Sequence, residues 1–103
     1  MKSDRTWRRS APKHLSKRAK AIWRELVEER CDSVERQVLL QSALEDLDRV
    51  DALREQIARE GAMQTSERSG LSRAHPALKI EAEARRRFLA AWRTLDLTWR
   101  DGF

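Results

Sequence analysis

Apolar residues fall along this chain in three separate helical rhythms. Ala19, Ile22, Trp23, Leu26 and Val27 recur at three-and-four spacing behind Ser16, whose hydroxyl suits a helix N-cap. They predict a first amphipathic helix that stops near Arg30. Asp32, Ser33, Val34 and Glu35 form a second start signal, in which Asp32 or Ser33 caps and Glu35 reaches back to a free amide. Leu40, Ala43, Leu44, Leu47, Val50, Leu53 and Ile57 then make one long stripe without Gly or Pro until Gly61, where a left-handed cap is expected. A helix of about 28 residues at 1.5 Å each is roughly 42 Å long. Residues 62–75 are polar, include Gly70 and read as a loop. Pro76 suits the first turn of a helix, because its ring presets φ and its missing amide would have no partner there. Ala77, Ile80, Ala84, Phe88, Ala91, Trp92 and Leu95 predict a third helix over 76–95.

Outside these rhythms the chain divides simply. Residues 1–15 carry Ser, Thr, Pro and cations with no apolar period and read as a flexible basic arm. Residues 16–95 form the helical domain, and 96–103 are a short tail holding Leu97, Trp99 and Phe103. With three Gly, two Pro and no Tyr, the turn punctuation of a many-stranded sheet is missing, so the fold class is all-α: three helices around a long central one. The 103 residues are 40% hydrophobic and 38% charged, which gives one domain with a weak core. Oligomerisation is a common remedy, and the long stripe exceeds what two shorter helices cover. Leu40, Leu44, Leu47, Val50 and Ile57 are therefore the candidate subunit interface, in a ring of more than four copies.

Charge sharpens the picture. Residues 1–24 hold nine cations against Asp4 alone, whereas residues 32–60 hold eight acids against four arginines. One end of the chain suits phosphate and the middle repels it. Lys2, Arg5, Arg8, Arg9, Lys13, Lys17, Arg18 and Lys20 are the candidate DNA-binding residues, acting by displacing counterions from the duplex backbone. Arg85, Arg86 and Arg87 either add a second patch or pair with acids of the second helix.

Catalytic and metal chemistry have little to stand on. Cys31, His14 and His75 lie far apart without ligand spacing, so no metal is expected. No Gly-rich phosphate loop appears, no cofactor is implied, and neither histidine has a nucleophile or carboxylate constellation around it. His75, beside Pro76, reads as a cap or turn residue. Trp23 and Trp92 fall on apolar stripes and read as core, while Trp7 and Trp99 lie off them and suit partner contacts. A single cysteine, no signal-peptide core and no 18-residue apolar run point to a soluble protein of the cell interior, away from membranes.

Four segments carry a family resemblance. Ala11-Pro12-Lys13-His14-Leu15-Ser16 followed by Ala21-Ile22-Trp23-Arg24-Glu25-Leu26, the long acidic helix ending at Gly61, the polar loop ending in His75-Pro76-Ala77-Leu78, and Ile80 to Leu89 closing with Leu95-Asp96-Leu97-Thr98 resemble the phage terminase small subunits of tailed phages, prophages and gene transfer agents. The resemblance spans about residues 11–100. It implies a non-enzymatic ring in the cytoplasm of the bacterial host, which engages double-stranded DNA and presents it to the large terminase, the ATPase and nuclease. It also favours Leu97, Trp99 and Phe103 as the large-subunit contact. No helix-turn-helix domain precedes Ala11, so backbone-driven rather than sequence-specific DNA binding is expected. Two rivals remain: a dimeric helical DNA-binding regulator or antitoxin-like protein, whose recognition helix would carry cations rather than acids, and a coiled-coil adaptor, which leaves the basic arm unused.

Overall fold

The structure is a computed structural model that describes residues 10–65 and 69–97. Its elements are α1 (Lys17–Leu26), α2 (Val34–Glu60), β1 (Met63–Thr65), β2 (Ser72–Ala74) and α3 (Ala77–Leu95). Each helix starts where its cap directs. The Ser16 hydroxyl accepts the Ala19 amide at 3.1 Å, and the Ser33 hydroxyl accepts the Arg36 amide at 3.3 Å. Ser33, not Asp32, is thus the cap of α2. That helix ends at Gly61, whose φ of +88° is costly for a residue with a Cβ.

The expected loop contains a small sheet. β1 and β2 pair antiparallel with Gln64 opposite Arg73, closed at the base by the His75 amide on the Ala62 carbonyl at 2.8 Å. The Thr65 and Ser72 hydroxyls meet across it at 3.0 Å. Both strands are largely exposed, so neither face alternates apolar with polar, and the period-2 signature that betrays a strand is missing. The fold is mostly helical with this two-stranded addition.

α3 runs back antiparallel along α2, as Arg54 to Glu81, Asp46 to Arg87 and Arg36 to the Leu95 carbonyl mark in order. α1 lies against only the first part of α2. There Leu15, Ala19, Trp23, Val27 and Cys31 of the α1 region pack with Leu40, Leu44, Leu47, Leu95 and Leu97 into one core, flanked by Phe88 and Trp92. Trp23 is fully buried. Beyond Asp51, where Arg18 makes the last contact from α1, α2 is accompanied by α3 and the hairpin, and the molecule measures 65 × 29 × 20 Å. Its radius of gyration of 17.7 Å exceeds the roughly 13 Å of a compact domain this size.

Candidate nucleic-acid interface

Three polar contacts bind α1 and its approach to α2. His14 meets Glu45 at 2.7 Å; Ser16 donates its amide and hydroxyl to the Asp48 carboxylate at 2.8 and 2.6 Å; Arg18 reaches Asp51 at 3.1 Å. The acids recur every three residues on one side of α2, so a single helix face receives all three. Burial alone would raise the Glu45 carboxyl, but hydrogen bonds from Gln41 and His14 bring it below its ordinary range. Docking in this register turns Trp23 inward and sends Lys17, Lys20 and Arg24 along the opposite flank, where none has an ion pair among the described residues.

The expected DNA contacts therefore divide. Lys13 and Lys17 are exposed, Lys20 is half-buried, and Arg18 is occupied by Asp51. Arg24, one turn beyond Lys20, extends the ridge. Lys2, Arg5, Arg8 and Arg9, like Trp7, lie outside the described residues.

Much of the acidic middle of the chain is engaged within the molecule, although Asp32, Glu35 and Glu55 are exposed. Asp46 is buried and held by Arg49 at 2.8 Å and Arg87 at 3.2 Å, and Glu81 of α3 is buried between Arg54 at 2.8 Å and Arg85 at 3.1 Å. Of the arginine triplet, Arg87 pairs across to α2, Arg85 pairs within α3, and Arg86 has no ion pair among the described residues. At the far end His75 is buried, its Nδ1 accepting the Ala77 amide at 2.9 Å and its Nε2 donating to Glu60 at 2.5 Å. That hydrogen bond holds the Glu60 carboxyl below its ordinary range.

Four residues expected at a subunit interface sit instead inside this one. Leu40, Leu44, Leu47 and Val50 are buried by the chain's own helices, because α1 and α3 cover that part of the stripe, while Ile57 stays half-buried. Leu97, expected as a partner contact, is also buried in the core, since the chain turns back at Asp96 with φ of +58°. Arg30 and Arg36 secure that turn by donating to the Asp96 and Leu95 carbonyls at 3.0 and 2.6 Å, at the negative end of the α3 dipole. Trp99 and Phe103 lie outside the described residues. Cys31 is fully buried, and burial raises its thiol pKa.

A groove of about 650 Å³ beside α1, lined by His14, Ser16, Asp48, Asp51 and Glu55 among others, has its Asp48 and Asp51 carboxylates already bound to α1. Among the described residues no group of three or more His, Cys, Asp or Glu is placed to hold a metal, and no helix is long and apolar enough to cross a membrane.

These features define an elongated helical protein with a basic ridge on its first helix and its acids largely paired. The profile of the family described as phage terminase, small subunit, matches residues 6–101, and the chain belongs to that family. Membership places it in phage DNA packaging. No curated protein and no solved structure matches.

Proposed function

We propose that this chain is a non-catalytic small terminase subunit that binds the backbone of double-stranded DNA and brings the large terminase ATPase and nuclease to it, in the cytoplasm of the bacterial host. The observation that carries this reading is the ridge of Lys13, Lys17, Lys20 and Arg24, whose cations have no ion pair among the described residues and follow directly from the arm in sequence. Such cations release counterions from duplex DNA without reading its sequence, so affinity falls steeply with salt.

The working form is a homo-oligomer of more than four copies. Leu40, Leu44, Leu47 and Val50 serve each subunit's core, so the contact between copies falls to the two-helix end, where Ile57 is half-buried and Ile80 and Met63 are exposed. Trp99 and Phe103 are the proposed large-subunit contact, with Leu97 rooting the tail in the core. A helix-turn-helix regulator fits less well, because α2 is packed between α1 and α3 and carries paired acids where a recognition helix needs free donors.

Duplex titration of the intact chain and of a chain lacking residues 1–10 tests the reading. The deletion weakens binding by a similar factor on unrelated sequences. Unchanged affinity at low salt reduces the arm to a solubilising tail and overturns its assignment.

A further inference from the structure

α3 presents its second basic surface on the side turned away from the core. Ala77, Glu81, Ala84 and Leu95 are its buried residues, and they set the inward direction. Lys79, Arg86 and Arg93 follow one another at seven-residue spacing, close to two helical turns, so they drift only about 20° per step and point directly opposite that face. Neighbouring cations stand roughly 10 Å apart along the axis. All three are exposed, and none has a hydrogen bond or ion pair from its side chain among the described residues. Arg85 and Arg87, on the flanks, are tied to Glu81 and Asp46. The obvious triplet is thus not the surface: one of its members joins a row that the linear sequence spreads over 15 positions.

We propose that the outer face of α3 is a second phosphate-contacting surface, on which Lys79, Arg86 and Arg93 hold the backbone of duplex DNA independently of the arm and α1. The proposal rests on the DNA-binding reading above and adds a site to it. A polyanion fits this row better than an acidic protein does. Ala82 and Ala90 separate the cations, and Leu89 on one flank is the large apolar residue nearby, so the row lacks the aromatic anchor that usually centres a protein interface. The acids along the middle of α2 are poorly placed to receive it from another copy, since Glu45, Asp46, Asp48 and Asp51 are already engaged within the subunit. Glu83, half-buried between Lys79 and Arg86, lies within the row and opposes phosphate.

The test is the salt dependence of binding to a mixed-sequence duplex for the full chain, for K79Q/R86Q/R93Q and for Glu83→Gln. Each phosphate contact contributes about 0.9 to the slope of log affinity against log salt, so the triple variant lowers the slope by up to about 2.7. Glu83→Gln tightens binding, a change that a purely structural row would not produce. Combining the triple variant with the arm deletion lowers the slope further than either alone. Where the triple variant loses helical circular dichroism, the three single variants, each lowering the slope by about 0.9, take its place. An unchanged slope overturns the proposal while leaving the arm intact as a DNA contact. So does a triple variant that changes the mass of the assembly without changing the slope, which would assign the row to a protein contact. A wild-type chain that binds no duplex even at low salt overturns the DNA-binding reading itself.

Discussion

The two ends of this molecule are stabilised by different physics. At one end α1, the first half of α2 and the last half of α3 surround Trp23, Leu40, Leu44 and Leu95, all nearly or wholly removed from water. At the other, two helices and a hairpin of two three-residue strands enclose no comparable cluster among the described residues, and polar contacts from Arg54, Glu81, Glu60 and His75 fix their relative positions. The first end closes its core within a single chain, although Val38 and Leu89 stay 48% and 45% exposed there. The second keeps Met63, Leu71 and Ile80 largely exposed, at 61%, 70% and 49%, which suits a surface that meets another molecule.

Substitutions should separate the ends by size and kind of effect. Trp23→Ala opens a large void in the three-helix layer, and thermal or denaturant unfolding should show a loss of about 3–5 kcal/mol. Asp46→Asn, at the seam between the ends, leaves Arg49 and Arg87 without their carboxylate. Because both guanidinium groups are about half exposed, at 50% and 53%, the loss should be nearer about 1–2 kcal/mol. A loss as large as that of Trp23→Ala would show that the seam, not the aromatic core, dominates stability.

His75→Ala removes the ring that caps the first turn of α3, and about 1 kcal/mol is expected, as for other lost caps. Its signature should be local: amides of the hairpin exchange faster while the fluorescence of buried Trp23 is unchanged. The smallest effect is that of acid. Glu60 and Glu45 have carboxyl pKa values lowered by their hydrogen bonds, so their contribution is complete above the unfolded carboxylate range and lost as pH falls through the folded values. Because Glu60 braces the hairpin through His75 and Glu45 holds only the approach to α1, hairpin amide protection should decline as pH falls below the ordinary carboxylate range, before the Trp23 core does. Simultaneous loss of both would contradict the division.

How far the chain could be read in advance follows the same division. Ser16, Ser33 and Pro76 act next to themselves in sequence, so each helix start was legible to within a residue or two. The core face was equally visible in the period of Trp23, Leu40 and Leu44. What sequence could not show was who covers whom. The stripe of α2 looked longer than its partners could bury, yet α1 and α3 together enclose it through Val50. Leu97 looked stranded after the last helix until the turn at Asp96 brought it inward. The hairpin lacked any apolar alternation, since its pairing rests on backbone groups that carry no side-chain signature. Among the cations, local clustering suggested equal partners, whereas docking against α2 assigned Arg18 to Asp51 and Arg87 to Asp46 and left Lys17, Lys20 and Arg86 without an ion pair among the described residues.

The proposed function has neighbouring copies cover the exposed end in a closed assembly, whereas the rival regulator would be a dimer. The absolute mass of the intact 12.1 kDa chain by light scattering tests it most directly. Heterologous contacts that close on themselves give rings, so a single species of more than four subunits is expected. A mass of one or two subunits, unchanged with concentration, would contradict it.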